Sequence, residues 1–172
     1  MEGIAARAGA GKQTIYRWWP SKGAVLLDAL DRWAAADAVL FPETDDLLAD
    51  LRAMITIVVR LQTQENFRPH LAALIAEAQQ DPTLRTALVE RFIRPRRAPI
   101  LARLQRAQDA GQIPESVEIE TVLEVIFGAL YHRLLLRTGP LDDDYAAFIA
   151  ETVLRGCATA ETPRRPPRLR SS

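Results

Sequence analysis

The sequence predicts an all-α protein. Apolar residues recur at three- and four-residue spacing along almost all of its 172 residues, which is the helical signature. No stretch alternates apolar and polar residues for long enough to read as a half-buried strand. Prolines and glycines gather where the periodic stretches end, as at Pro20, Pro42, Gly111 and Gly139-Pro140, and these residues punctuate helices.

Each element follows in order. Residues 2–8 set Ile4, Ala5 and Ala8 on one side of a first short helix. Ala-Gly-Ala-Gly at 8–11 is a turn, and a second short helix covers about 12–19. Pro20 breaks it, and Ser21 is a natural cap for a helix over about 22–38 with the stripe Val25, Leu26, Ala29, Leu30 and Trp33. Thr44 caps a helix over about 45–64, whose first turn holds Asp45 and Asp46 where the helix dipole favours acids. The next helix spans about 68–80. Asp81-Pro82 then opens another, which Pro95 and Pro99 interrupt or kink before Gly111 stops it. The run VLEVIFGALYHRLLL lies in a helix over about 118–137 and is apolar on nearly every face, so it is expected to be buried on more than one side. The last helix covers about 142–159, with Tyr145, Phe148, Ile149, Val153 and Cys157 inward. Three regions result: a head at 1–38, a body at 39–160, and a Pro/Arg-rich tail at 161–172 that is expected to be disordered.

Composition narrows the function classes. The formal net charge is zero, yet it is unevenly spread. Residues 1–24 carry Arg7, Lys12, Arg17 and Lys22 against Glu2 alone, a balance of +3, and residues 163–172 carry four arginines and no acid. That leaves −7 for residues 25–162. A basic head on an acidic body suggests that the head meets an anion. One cysteine, Cys157, excludes an intramolecular disulfide framework and favours a reducing cytoplasm; a buried small hydrophobe is its plainest reading. No apolar run approaches the ~20 residues of a membrane helix. His70 and His132 are the only histidines, 62 positions apart, without ligand spacing around them. No nucleophile–histidine–acid set, glycine-rich phosphate loop or close carboxylate pair is present. No metal, cofactor or catalysis is therefore expected.

The chemistry lies near the amino end. Two short helices joined by a tight glycine turn form a helix-turn-helix candidate. In such a unit the second helix lies in the major groove with side chains on base edges. Ile15 and Trp19 are four apart and share a face, while Gln13, Thr14, Arg17 and Trp18 fall on others. Arginine pairs bidentately with guanine and glutamine with adenine. Lys22 follows Ser21 at a helix N-terminus, where backbone N–H groups attract phosphate. The plain alternatives are core packing for the tryptophans, strongest at Trp19, and solvated charge for Lys12 and Arg17.

IAARAGAGKQTIYRWWPSKGAVLLDAL, residues 4–30, closely resembles the DNA-binding segment of the tetracycline-repressor (TetR) family of bacterial regulators. Ile4-Ala5, Ala8-Gly9, Thr14-Ile15-Tyr16, Trp18-Trp19 and Ser21-Lys22 stand in register with that family's pattern. The segment RFIRPRRAPILARLQRAQDAGQIPES looks like the C-terminal domain of one subgroup. The resemblance implies an all-α homodimer joined through its last two long helices, with a small effector bound in the C-terminal domain. It also implies that Gln13, Thr14, Tyr16 and Arg17 face bases or nearby phosphates, with Lys12 and Trp18 beside them and Lys22 on a phosphate. Two departures stand out. Gly11 occupies a place where the family often has a serine cap, and the family has a full helix before Ile4, so the chain is expected to be shortened at its amino end.

The body offers weaker candidates. An effector pocket is apolar with a few polar groups, and Trp33, Met54, Val58, Leu74, Phe92, Phe127 and Tyr131 lie on inward faces; plain core is the alternative for each. Gly128, Ala129, Ala146, Ala150 and Val153 in the last two long helices are candidates for the dimer interface. Arg94, Arg96 and Arg97 read as a solvated or internally paired helix face rather than a second nucleic-acid patch. The reading is a cytoplasmic transcriptional regulator, a repressor released from operator DNA by an unknown small-molecule effector. The competing class is a helical ligand-binding, dimer-forming protein that no longer binds DNA.

Overall fold

The computed structural model describes residue 9, residues 11–36 and residues 43–158, without the side chains of Lys12 and residues 33–36. The helix expected at 2–8, the end of the one expected at 22–38, and the tail at 161–172 lie outside the described residues. Among the described residues the regular elements are helices and none is a strand. They are α1 Lys12–Trp18, α2 Lys22–Ala36, α3 Leu47–Thr63, α4 Phe67–Ala78 and α5 Pro82–Ala87, followed by a π-helical segment Leu88–Ile93, then α6 Arg94–Asp109, α7 Ile119–Leu136 and α8 Asp143–Ala158.

The helix ends have local causes. Gly11 is the N-cap of α1 and makes no side-chain cap bond. Ser21 Oγ accepts from Ala24 N at 3.1 Å. Asp81 caps α5 by accepting from the N–H groups of Thr83 and Leu84, and Pro82 follows at a position whose N–H would be unpaired in any case. Arg137 ends α7 in the left-handed region at φ 55°. The cap of α3 corrects the sequence reading. Asp46, not Thr44, accepts from Ala49 N at 3.0 Å. Thr44 instead gives its N–H and hydroxyl to the Asp50 carboxylate.

Near the prolines at 95 and 99 the α ladder is interrupted, but by a π-helical segment and not by a break in the helix. The chain stays helical from Pro82 to Asp109, and the ladder widens over Leu88–Ile93. There Arg94 N bonds Val89 O, five residues back. Pro95 has no N–H to give, so the shift falls where the regular ladder is about to lose a donor. Pro95 sits in the first turn of α6 and Pro99 inside it.

Two apolar clusters form the core. In the first, α3, α6, α7 and α8 contribute residues such as Leu51, Ile55, Leu104, Ile126 and Ile149. The second joins Leu26, Leu27 and Leu30 of α2 to Phe67, Leu71 and Leu74 of α4, Leu84 of α5, and Leu88 and Phe92 of the π segment. The helix that leaves the head is therefore packed into the body. Gly23 of α2 allows this approach: a Cβ there would lie 2.2 Å from Leu84 Cδ2.

Candidate nucleic-acid interface and inner cavity

The face of α1 divides as its sequence suggests. Ile15 is buried, while Gln13, Thr14, Tyr16, Arg17 and Trp18 are exposed. Trp18 is 69% exposed, large for an indole in the absence of a partner. Lys12 begins α1, and its side chain lies outside the described residues. The exposed set combines a guanidinium, an amide, two hydroxyls and an indole, donors suited to phosphates and base edges.

Trp19 holds α1 to α2. Its Nε1–H donates to Asp28 Oδ2 at 2.9 Å, and Asp28 also pairs with Arg91 of the π segment. These bonds, first from Arg91 and then from Trp19, hold the Asp28 carboxyl below its ordinary value. A continuous chain thus runs from the end of α1 through α2 to the body.

The start of α2 corrects one expectation. Lys22 is exposed there, but two N–H groups that could attract phosphate are already taken. Gly23 N donates to Glu77 Oε1 of α4 at 3.0 Å and Ala24 N to Ser21 Oγ. A phosphate at this place would rely on the Lys22 ammonium. Sequence reasoning missed Glu77, which lies 54 positions from the helix it caps.

A cavity of about 290 Å³ lies at the seam between the two clusters. Val58, Phe92, Phe127 and Tyr131 line it, together with Leu61, Phe67, Leu71, Ile93, Ile100 and Leu123. Met54 and Leu74 do not: both are fully buried, Met54 in the first cluster and Leu74 in the second, because they point into helix–helix contacts. The side chain of Trp33 lies outside the described residues. The polar lining is Gln62, Arg96, Arg97 and Glu124. Gln62 is buried and its Oε1 has no hydrogen-bond partner among the described residues, a state that costs about 1–3 kcal/mol. Arg96 lies 4.0 Å over the Phe92 ring and donates to Asp31 Oδ1 of α2 at 3.2 Å. Arg97 stands 3.9 Å from Glu124. Burial pushes the Tyr131 phenol above its ordinary value, against an opposite pull from Arg96 and Arg97.

The last two helices present a third surface. Val125, Leu135 and Leu136 of α7 and Phe148 of α8 are exposed. Gly128 is exposed and also borders the cavity, while Ala129 is half-buried. Of the dimer-interface candidates, Ala146, Ala150 and Val153 do not lie on this surface. They are buried in the first cluster, because α8 uses that stripe to pack on α3. Phe148, expected inward, is 63% exposed.

A short helix with an exposed polar face, clipped to a helical body with an apolar cavity, is the arrangement expected of helix-turn-helix regulators with a C-terminal helical domain. Residues 41–153 match the family model described as "Tetracyclin repressor-like, C-terminal domain". The chain is 33% identical over 155 residues to the DNA-binding transcriptional repressor TetR of Mycobacteroides abscessus, covering 90% of this chain and 80% of that one. It is 29% identical over 163 residues to the HTH-type transcriptional regulator YdeS of Bacillus subtilis, covering 94% and 81%. The solved structure of the TetR family transcription regulator SCO0332 superposes with a TM-score of 0.74 at 36% identity, covering 90% of this chain and 85% of that one. The protein belongs to the TetR family of DNA-binding transcriptional regulators. No helix among the described residues is long and apolar enough to cross a membrane.

Proposed function

We propose that the protein is a cytoplasmic, homodimeric repressor without catalytic activity, released from its operator by a small molecule bound in the seam cavity. The observation that carries this reading is the position of α2. Asp28, near the middle of α2, is tied to the end of α1 through Trp19, and Asp31, one turn further on, is tied to the cavity wall through Arg96. A ligand that alters the wall therefore acts on the helix that aims the head. The dimer reading rests on the family and on the large apolar side chains that α7 and α8 leave exposed, among them Leu136 and Phe148, which a second subunit would cover. Two heads held at fixed separation then match two half-sites, and a ligand that favours another separation weakens binding.

The experiment is a mobility shift on the DNA flanking the protein's own gene. A single retarded band at the dimer stoichiometry supports the reading. Arg17→Ala reduces affinity by about 1–3 kcal/mol and relaxes sequence preference, with thermal stability unchanged because Arg17 is exposed. An unaltered operator footprint for that variant contradicts the base-contact role. Absence of any DNA binding by a folded dimer favours the ligand-binding alternative.

A further inference from the structure

We propose that the effector is a compact apolar carboxylate, and that it acts by drawing Arg96 off Asp31. This rests on the reading of the seam cavity as the effector site and adds the ligand's chemical class and the switch. The cavity walls are aliphatic and aromatic, with Phe67 and Phe92 rings 6.4 Å apart and Phe127 and Tyr131 rings 6.2 Å apart. Such a lining takes an apolar body. Two guanidiniums, Arg96 and Arg97, share that lining with one carboxylate, Glu124. Among the described residues Arg97 has only the distant Glu124 pairing at 3.9 Å, beyond hydrogen-bond range, which leaves its donor fork available to an anion.

The switch follows from what Arg96 holds. Its guanidinium lies on the Phe92 ring and bonds Asp31 through both Nη1 and Nη2, at 3.3 and 3.2 Å. Asp31 sits on α2, three residues beyond Asp28, which holds Trp19. A ligand carboxylate between Arg96 and Arg97 competes with Asp31 for the same donors. The guanidinium then turns from the α2 side of the wall toward the cavity. Anion binding and the Arg96–Asp31 contact are mutually exclusive, which makes ligand and DNA negatively coupled by the same factor in each direction.

The test uses the full-length protein and three probes with one body and different heads: phenylpropionate, phenylpropanol and phenylpropylamine, titrated calorimetrically. The carboxylate is expected to bind about tenfold tighter than the alcohol, the size of one charge-assisted pairing, and tighter still than the amine. That advantage disappears in the doubly substituted R96Q/R97Q protein. Asp31→Asn is expected to raise affinity for the carboxylate several-fold and leave the alcohol unchanged, because the competitor is gone; a near-native Tm for this variant excludes general loosening. If the alcohol or the amine binds as well as the carboxylate, the cavity reading stands and the anion proposal falls. If the carboxylate binds best but Asp31→Asn leaves its affinity unchanged, the switch falls. If none of the three binds, the effector reading of the cavity fails, and the proposal with it.

Discussion

Two arginines of α6 each bind an aspartate on another helix, and they differ in every other respect. Arg103 and Asp50 are 6% and 1% exposed at their side chains, at 2.7 Å. The carboxylate there also accepts from the Thr44 N–H and hydroxyl, and Arg103 donates to Thr44 O. Arg96 and Asp31 are 27% and 36% exposed, at 3.2 Å, and the arginine borders a cavity. A buried pair whose hydrogen bonds are satisfied is costly to open, since each partner leaves the other charged and dry. A half-exposed pair contributes little to stability and exchanges partners cheaply. The first arrangement fixes the body; the second is suited to a contact that must be made and released.

The largest test of that contrast is Asp50→Asn. It leaves the Arg103 charge buried and loses about 3–5 kcal/mol, read as a shift in the urea unfolding midpoint. Replacing both partners, Asp50→Leu with Arg103→Met, is expected to cost less than the single change, because no charge is stranded. Gly23→Ala comes next, at about 1–3 kcal/mol, since the new methyl meets Leu84 Cδ2 at 2.2 Å and Leu84, packed in the second cluster, must shift. Acid unfolding gives a third reading. Burial pushes the Asp50 carboxyl up, but bonds from Thr44 and Arg103 outweigh it and hold the group below its ordinary value. Its contribution is complete above the unfolded-state value of about 3.9 and is lost as pH falls through the lower native value. The stability of Asp50→Asn is therefore expected to fall less steeply on acidification than that of the wild type. The smallest stability effect is that of Asp31→Asn, within about 1 kcal/mol.

What the sequence made legible follows from the range of the interactions. Helices appear in the periodicity because amphipathic burial is a local pattern, and the outward face of α1 was read from the spacing of Ile15 and Trp19. The π segment was not legible. Pro95 and Pro99 announce a disturbed ladder, but a widened turn and a kink remove the same hydrogen bonds. The Asp46 cap was missed because Thr44 and Asp46 both suit that role, and the choice depends on Asp50 finding Arg103 53 positions away. The small residues Ala146 and Ala150 permit close helix approach, yet the sequence does not say whether the neighbour is α3 of the same chain or a second subunit. Met54 and Leu74 share the inward character of Val58 and Phe92; only the placement of the seam separates cavity wall from core. Arg96 and Arg97 read from the sequence as a solvated or internally paired face, and Arg96 does pair with Asp31, but their position on the cavity required the fold.

The most direct test of the account is a double-mutant cycle at Arg96 and Asp31, read on affinity for the DNA flanking the protein's own gene. Arg96→Gln and Asp31→Asn are each expected to weaken that affinity, and the double variant to be no weaker than the worse single one, with unfolding midpoints little changed. Wild-type DNA affinity in both single variants, with the fold intact, would contradict the claim that this contact on α2 connects the cavity to the head.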